Sequence, residues 1–302
     1  NVRLVFSGPG QAFWDAANTG ALPADARTFT GSTAGFTQFT ATGLAVTTTF
    51  GENVRLVFSG PGQAFWDAAN NRVVLINSTL GSSLRVDPIA PATALTTTLT
   101  NFGVVSNDDA SLGSLIINAQ LRSNTASDTA DRSSRLFVDG TINTLQVGNT
   151  VITADGALAG SGIIAAGQDL VSVRIGNAGA SPAANQFRLE SNGLTSATIL
   201  GDLGTSIASR VDARNIGSVA VTGAIRGVIS SGVDITSVRA TGALNGGRIR
   251  AAGNIGSVAA TSAATQARVS AGGNIQSITI TGDANDSTFM AGVDLGTDGT
   301  FG

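Results

Sequence analysis

NIGSVAVTGA (215–224), DITSVRATGA (234–243), NIGSVAATSA (254–263) and NIQSITITGD (274–283) are four lines of one pattern, repeated about every 20 residues. An Asn or Asp opens each line: Asn215, Asp234, Asn254 and Asn274, with Asp294 opening a fifth. Isoleucine follows, then, two places on, a serine: Ser218, Ser237, Ser257, Ser277. The third and fifth positions after the isoleucine are apolar or small, as in Val219 and Val221 or Ile278 and Ile280. That is the two-residue period of a strand, and a fixed period of this length signals a solenoid. A bend near the serine turns both the isoleucine and the following valine inward and leaves the serines stacked outside.

Counting back from each Asn or Asp gives a second strand. Ile229, Ile249, Val269 and Phe289 stand five places before it, and Ser231, Ala251, Ala271 and Ala291 three places before it. Gly232, Gly272 and Gly292 fall two before it. Glycine followed by Asn or Asp suits a turn with positive φ, so Asn215, Asp234, Asn254, Asn274 and Asp294 are read as a structural turn ladder. Such a rung cannot bury its own apolar side; a neighbour about 4.8 Å away does so. The expected fold is therefore all-β: a right-handed parallel β-helix with about 20-residue rungs, irregular in its N-terminal half. Ile142, Leu170 and Leu194 are earlier rung starts, with Thr144 in the serine column.

The other strong feature is an exact repeat. NVRLVFSGPGQAFWDAAN (1–18) recurs without change as residues 53–70. Within each copy a strand, a Ser-Gly-Pro-Gly turn and a second strand follow one another, as a hairpin or as a corner of the coil. The duplication is explained either by its recent origin or assembly, or by two copies that must fit the same kind of site. In the second case one copy completes its own coil while the other docks on a neighbouring molecule by strand addition. Val2, Leu4, Phe6, Phe13 and Trp14, with their counterparts Val54, Leu56, Phe58, Phe65 and Trp66, are the assembly candidates. The chain is expected to divide into a donor segment (1–52), an irregular solenoid with long loops (53–138) and a regular solenoid (139–302). It opens at Asn1 without a methionine and ends at Gly302 inside a new rung, as expected of part of something longer.

Charged residues make up 12% of the chain, about half the usual share, and the net charge is −3. That balance argues against nucleic acid as a partner. No apolar run approaches a membrane span. Cysteine and histidine are absent, which excludes a disulfide framework, thiol chemistry and the usual acid/base residue near neutral pH. Glycoside hydrolysis needs two facing carboxylates; Glu52 and Glu190 are the only glutamates, Asp108-Asp109 and Asp128 with Asp131 are read as loop residues with no glutamate near them, and no catalytic residue is assigned. Asp283, Asp286, Asp294 and Asp298 crowd the C-terminal end as calcium candidates, with no other cofactor expected. Their spacing matches neither an EF-hand nor a glycine-aspartate nonapeptide, and structural turns explain them as well. Arg226, Arg239, Arg248, Arg250 and Arg268 fall at outward positions, either as a stripe that meets glycans or acidic surfaces or as a solvated face that keeps strands apart.

NIGSVAVTGA (215–224), AGVDLGTDG (291–299) and RLVFSGPG (55–62) resemble repeats of very large secreted bacterial β-helix proteins of the adhesin, haemagglutinin and surface-matrix type. The resemblance implies a secreted or cell-surface location and a structural or adhesive role, and brings no catalytic residue with it. The leading expectation is a non-enzymatic structural protein whose partner is itself, in a filament, sheath or surface layer. A monomeric adhesin stalk that binds surface glycans is the alternative, and a polysaccharide lyase or hydrolase the third.

Overall fold

The structure, a computed structural model, describes residues 36–89, 97–107, 109–122, 136–149, 163–176, 187–204, 207 and 209–292. Among them there are strands and no helix, and parallel coils stack about 21 residues apart as a β-solenoid.

The N-terminal side departs from that rule. β1 (Phe36–Phe39) and β2 (Leu44–Thr47) form an outer layer, β3 (Asn53–Ser59) and β4 (Gln63–Asp67) a second, and β5 (Arg72–Ile76) and β6 (Ser83–Pro88) a third. β4 pairs antiparallel with β1 and β5, while β3 pairs antiparallel with β2 and β6. The chain thus passes from a first face to a second, doubles back, and reverses again before it starts to coil. Antiparallel layers thus cover the first parallel coil.

Parallel winding begins on β5 and β6. β7 (Thr98–Thr100), β8 (Gly103–Ser106), β9 (Leu112–Arg122), β10 (Leu136–Val138), β11 (Ile142–Asn149), β12 (Ile163–Ala166) and β13 (Asp169–Ile175) follow. β14 (Arg188–Ile199) and β15 (Arg210–Val221) each run through both faces without a break. β16 (Val228–Ser231), β17 (Ile235–Ala240), β18 (Leu244–Asn245), β19 (Arg248–Ala251), β20 (Ile255–Ala260), β21 (Ala264–Thr265), β22 (Arg268–Ala271), β23 (Ile275–Ile280), β24 (Ala284–Asn285) and β25 (Thr288–Ala291) complete the stack. β8, β10, β12, β16, β19, β22 and β25 belong to the first face, and β9, β11, β13, β17, β20 and β23 to the second. A narrow third face is built from β18, β21 and β24, extended by the bridges Leu203–Ile225–Leu244.

The expected columns are there. On the second face Leu112, Ile142, Leu170, Leu194, Ile216, Ile235, Ile255 and Ile275 stand in register, and so do Ser114, Thr144, Ser172, Ser196, Ser218, Ser237, Ser257 and Ser277. The apolar column is buried as far as Ile255 and becomes half-exposed at Ile275. On the first face Leu189, Val211, Ile229, Ile249 and Val269 are aligned and buried. One inward side-chain column per strand position repeats the same residue class in every rung, so the core is continuous along the axis.

The turn ladder works differently from the sequence reading. Asn215, Asp234, Asn254 and Asn274 are not in the left-handed region, nor are Gly232 and Gly272; of the expected glycines only Gly292 is, at φ 71°. The side chains cap the next rung instead. The Asn254 amide N–H donates to Asp234 Oδ1 at 2.6 Å, and the Asn274 N–H to Asn254 Oδ1 at 2.9 Å. A short polar side chain thereby satisfies a corner N–H that no strand partner reaches. Asp294 lies outside the described residues.

The left-handed column sits at another corner, just before the first face: Gly246 (φ 70°), Gln266 (φ 53°) and Asp286 (φ 49°). A glutamine there is strained, whereas glycine is not. Gln266→Gly is expected to raise stability by up to about 1 kcal/mol. The check is the urea midpoint of the variant against the parent.

Candidate functional site

The second copy of the repeat is the middle layer of the N-terminal cap. β3 pairs with β2 and β6 and β4 with β1 and β5, not with each other, so the copy is a corner and not a hairpin. The corner is Gly60-Pro61-Gly62. Gly60 (φ 96°) and Gly62 (φ 92°) hold the left-handed conformation, and a Cβ on Gly60 would lie 2.3 Å from the Gly81 carbonyl oxygen. Both the backbone angle and the close approach of the next layer therefore require glycine.

Alternation along β3 turns Val54, Leu56 and Phe58 into the core, while Asn53, Arg55 and Ser59 face solvent. On β4 the packing is denser. Phe65 is buried in a small cluster with Val74 and Ile76, and Trp66 on the opposite side of the strand joins the main core. The Trp66 ring stacks on Phe102 with centroids 6.0 Å apart and 18° between planes. Phe102 belongs to the turn that leads into β8, so this contact ties the cap to the first parallel coil.

Polar contacts lock the same joint. Arg72 Nε donates to Asp67 Oδ2 at 2.9 Å, with the two side chains only 5% and 2% exposed. Asn70 donates to the same carboxylate through its side chain (2.8 Å) and its backbone N–H (3.2 Å). Burial pushes the Arg72 guanidinium below its ordinary pKa, and the Asp67 charge opposes that shift. Glu52 accepts from the Thr100 N–H at 3.1 Å and from the Thr48 hydroxyl. Asn71 Nδ2 donates to the carbonyls of Thr100 (2.9 Å) and Asn101 (3.2 Å). Sequence reasoning missed Glu52, Asp67, Asn71 and Arg72. The visible hints were a rare glutamate just before the repeat and an acid and a base either side of an Asn-Asn turn.

The assembly candidates thus divide in two. Val54, Leu56, Phe58, Phe65 and Trp66 come together in the cap core, whereas Val2, Leu4, Phe6, Phe13 and Trp14 lie outside the described residues. Leu44 and Val46, one layer further out on β2, are only partly buried against the same core. Among the described residues β2 has one strand partner, β3.

The remaining candidates fall elsewhere. Asp283 and Asp286 are exposed at the third corner, where the Asp283 carbonyl accepts the Ala264 N–H at 2.8 Å. Among the described residues no His, Cys, Asp and Glu group gathers to hold a metal ion; Asp294 and Asp298 lie outside them. The five arginines do not form one stripe. Arg226 pairs with Asp202 at the third corner, Arg239 stands on the second face, and Arg248, Arg250 and Arg268 share the first. No helix among the described residues is long and apolar enough to cross a membrane. Comparison with family models, with curated proteins and with solved structures finds no match.

Proposed function

We propose that this chain is a non-enzymatic structural protein of the cell surface or extracellular space that assembles with copies of itself, residues 1–18 of one molecule adding as a layer to the cap of another. One observation carries the reading. The 18-residue sequence at 53–70 pairs through both of its edges, with β5 and β6 on one side and with β1 and β2 on the other. Those two neighbouring layers run in the same direction, so the sequence suits a layer of that kind from either side. The identical residues 1–18 carry every side chain the seated copy uses: Val2, Leu4, Phe6, Phe13, Trp14, Asp15 and Asn18. Seated on β2 of a neighbour, Val2 and Leu4 would cover Leu44 and Val46 as Val54 and Leu56 do from within. Backbone pairing supplies affinity in such strand addition, and alternate side chains supply register. The resemblance to large secreted repeat proteins supports the location.

The test is electron microscopy of the purified chain beside a chain lacking residues 1–18, which keeps the whole described cap. The full chain is expected to form filaments and the shortened one to remain single rods. Filaments from both would remove residues 1–18 as the joint. Single rods from both, across concentration and salt, would remove self-assembly as the function.

A further inference from the structure

On the first face, Arg188, Arg210, Val228, Arg248 and Arg268 share one column, and Glu190, Asp212, Ser230, Arg250 and Ser270 the next; the charged members of both are at least partly exposed, while Val228 and Ser270 are covered. In the two upstream rungs each arginine has an acid two residues along its own strand. Arg188 Nη1 lies 3.6 Å from Glu190 Oε1, and Arg210 Nε 2.8 Å from Asp212 Oδ2. Further along the coil that acid is replaced by Ser230, Arg250 and Ser270. Arg250 Nε donates to Ser230 Oγ at 2.9 Å, and none of Arg248, Arg250 and Arg268 has a carboxylate partner among the described residues. The acids of these rungs stand at corners: Asp234 between first and second faces, Asp283 and Asp286 about the third.

Parallel register stacks Arg248 on Arg268, with strands about 4.8 Å apart, and puts Arg250 about 6.6 Å along the strand on the same side. Like charges on neighbouring strands repel. The fold therefore keeps, on a chain of net charge −3, a cluster of three cations downstream of two rungs in which each first-face arginine is paired with an acid. Arg268 is exposed and Arg248 and Arg250 are partly exposed, an arrangement that suits a chain-like ligand touching several cations at once better than a single ion. Guanidinium forks match the planar geometry of carboxylate and sulfate. No aromatic side chain stands in these two columns to stack on a base, and the overall charge is negative, so single-stranded nucleic acid fits less well.

We propose that Arg248, Arg250 and Arg268 bind a linear anionic polysaccharide, carboxylated or sulfated, laid along the solenoid axis. Successive sugars bring successive anions past successive rungs. The site is independent of the joint at the cap and uses none of its residues.

The experiment is fluorescence anisotropy of the full chain with labelled polygalacturonate and chondroitin sulfate oligomers, with dextran and a single-stranded DNA oligonucleotide as comparisons. Saturable binding of at least one anionic glycan, weakening as salt rises, is expected, with none to dextran; the better of the two probes identifies the anion. Arg248→Ala with Arg250→Ala is expected to lower affinity about tenfold or more. Ser230→Asp gives Arg250 the carboxylate that Asp212 gives Arg210, and is expected to weaken binding likewise while the fold is kept. Arg239→Ala, on the second face, is expected to change nothing. No binding of either anionic glycan at low salt, undiminished binding by both first-face variants, or tighter binding of DNA than of glycan would each overturn the assignment.

Discussion

Trp66→Ala is expected to lower folding stability by about 3–5 kcal/mol, the cost of truncating a large aromatic in a closed core. Trp66 is 4% exposed and stands between three layers. Its backbone pairs with Thr37 on β1 and Val73 on β5, and its ring reaches past β5 to stack on Phe102 in the first parallel coil. Little around it is able to collapse into the space, because Val73, Leu75 and Val104 of the same core are themselves fully buried on strands paired along their length. The ring contact is separable from the cavity: a double-mutant cycle with Phe102→Ala is expected to show coupling of about 0.5–1.5 kcal/mol. Urea unfolding followed by circular dichroism, which does not depend on tryptophan emission, gives both numbers. A loss below about 1 kcal/mol would mean that the cap is not part of the cooperative fold. Under the proposed division of labour, Trp14→Ala, the same change in the same sequence, leaves the unfolding midpoint unmoved and weakens filament formation.

The regular coil was legible because parallel stacking turns three-dimensional neighbours into a fixed sequence offset. Ile235 lies on Ile216 and Ser237 on Ser218, so each column announces itself as a repeated residue class. The cap offers no such offset. β3 lies against β6 in reverse order, Val54 opposite Pro88 and Ser59 opposite Ser83, and no residue class recurs at a constant distance. The alternation in Val54, Leu56 and Phe58 says which side is inward, and it says so equally for a hairpin and for a corner. The polar joint was less visible still, since Glu52 and Thr100 meet across 48 residues that include β3 to β6, an offset no local pattern encodes. The turn ladder shows a different limit. Asn and Asp are suited both to the left-handed region and to accepting a backbone N–H, and identity alone does not separate the two. Among the arginines, strand period distinguishes inward from outward positions, but not which of three faces an outward residue joins; that depended on where each corner falls.

Arg72→Met is expected to cost about 3–5 kcal/mol, although the Asp67–Arg72 pair itself adds little net stability. The two statements are compatible. Desolvation already pushes the Arg72 guanidinium below its usual pKa, so the attraction of Asp67 serves mainly to offset the cost of burial. Methionine fills much of the arginine's volume but strands the Asp67 carboxylate, 2% exposed, with Asn70 as its remaining partner among the contacts described above. Removing the negative charge as well, in Asp67→Asn with Arg72→Met, is expected to recover most of the loss, because an amide still accepts the Asn70 N–H and carries no buried charge. Urea midpoints of the two single variants and the double variant test this; a double variant as unstable as Arg72→Met alone would show that arginine packing, not the stranded charge, is what matters. The same pair bears on assembly. Asp15 repeats Asp67, but Gly20 stands where Arg72 would be, so the cation of the seat lies outside the repeated sequence. A docked first copy therefore brings its carboxylate without a cation at the matching position of its own sequence. Asp15→Asn is thus expected to leave filament formation intact or strengthened if residues 1–18 add to the outer edge of a cap, where no Arg72 is near. It is expected to weaken assembly if they displace residues 53–70 from a neighbour's β5 and β6, where Asp15 would meet that molecule's Arg72.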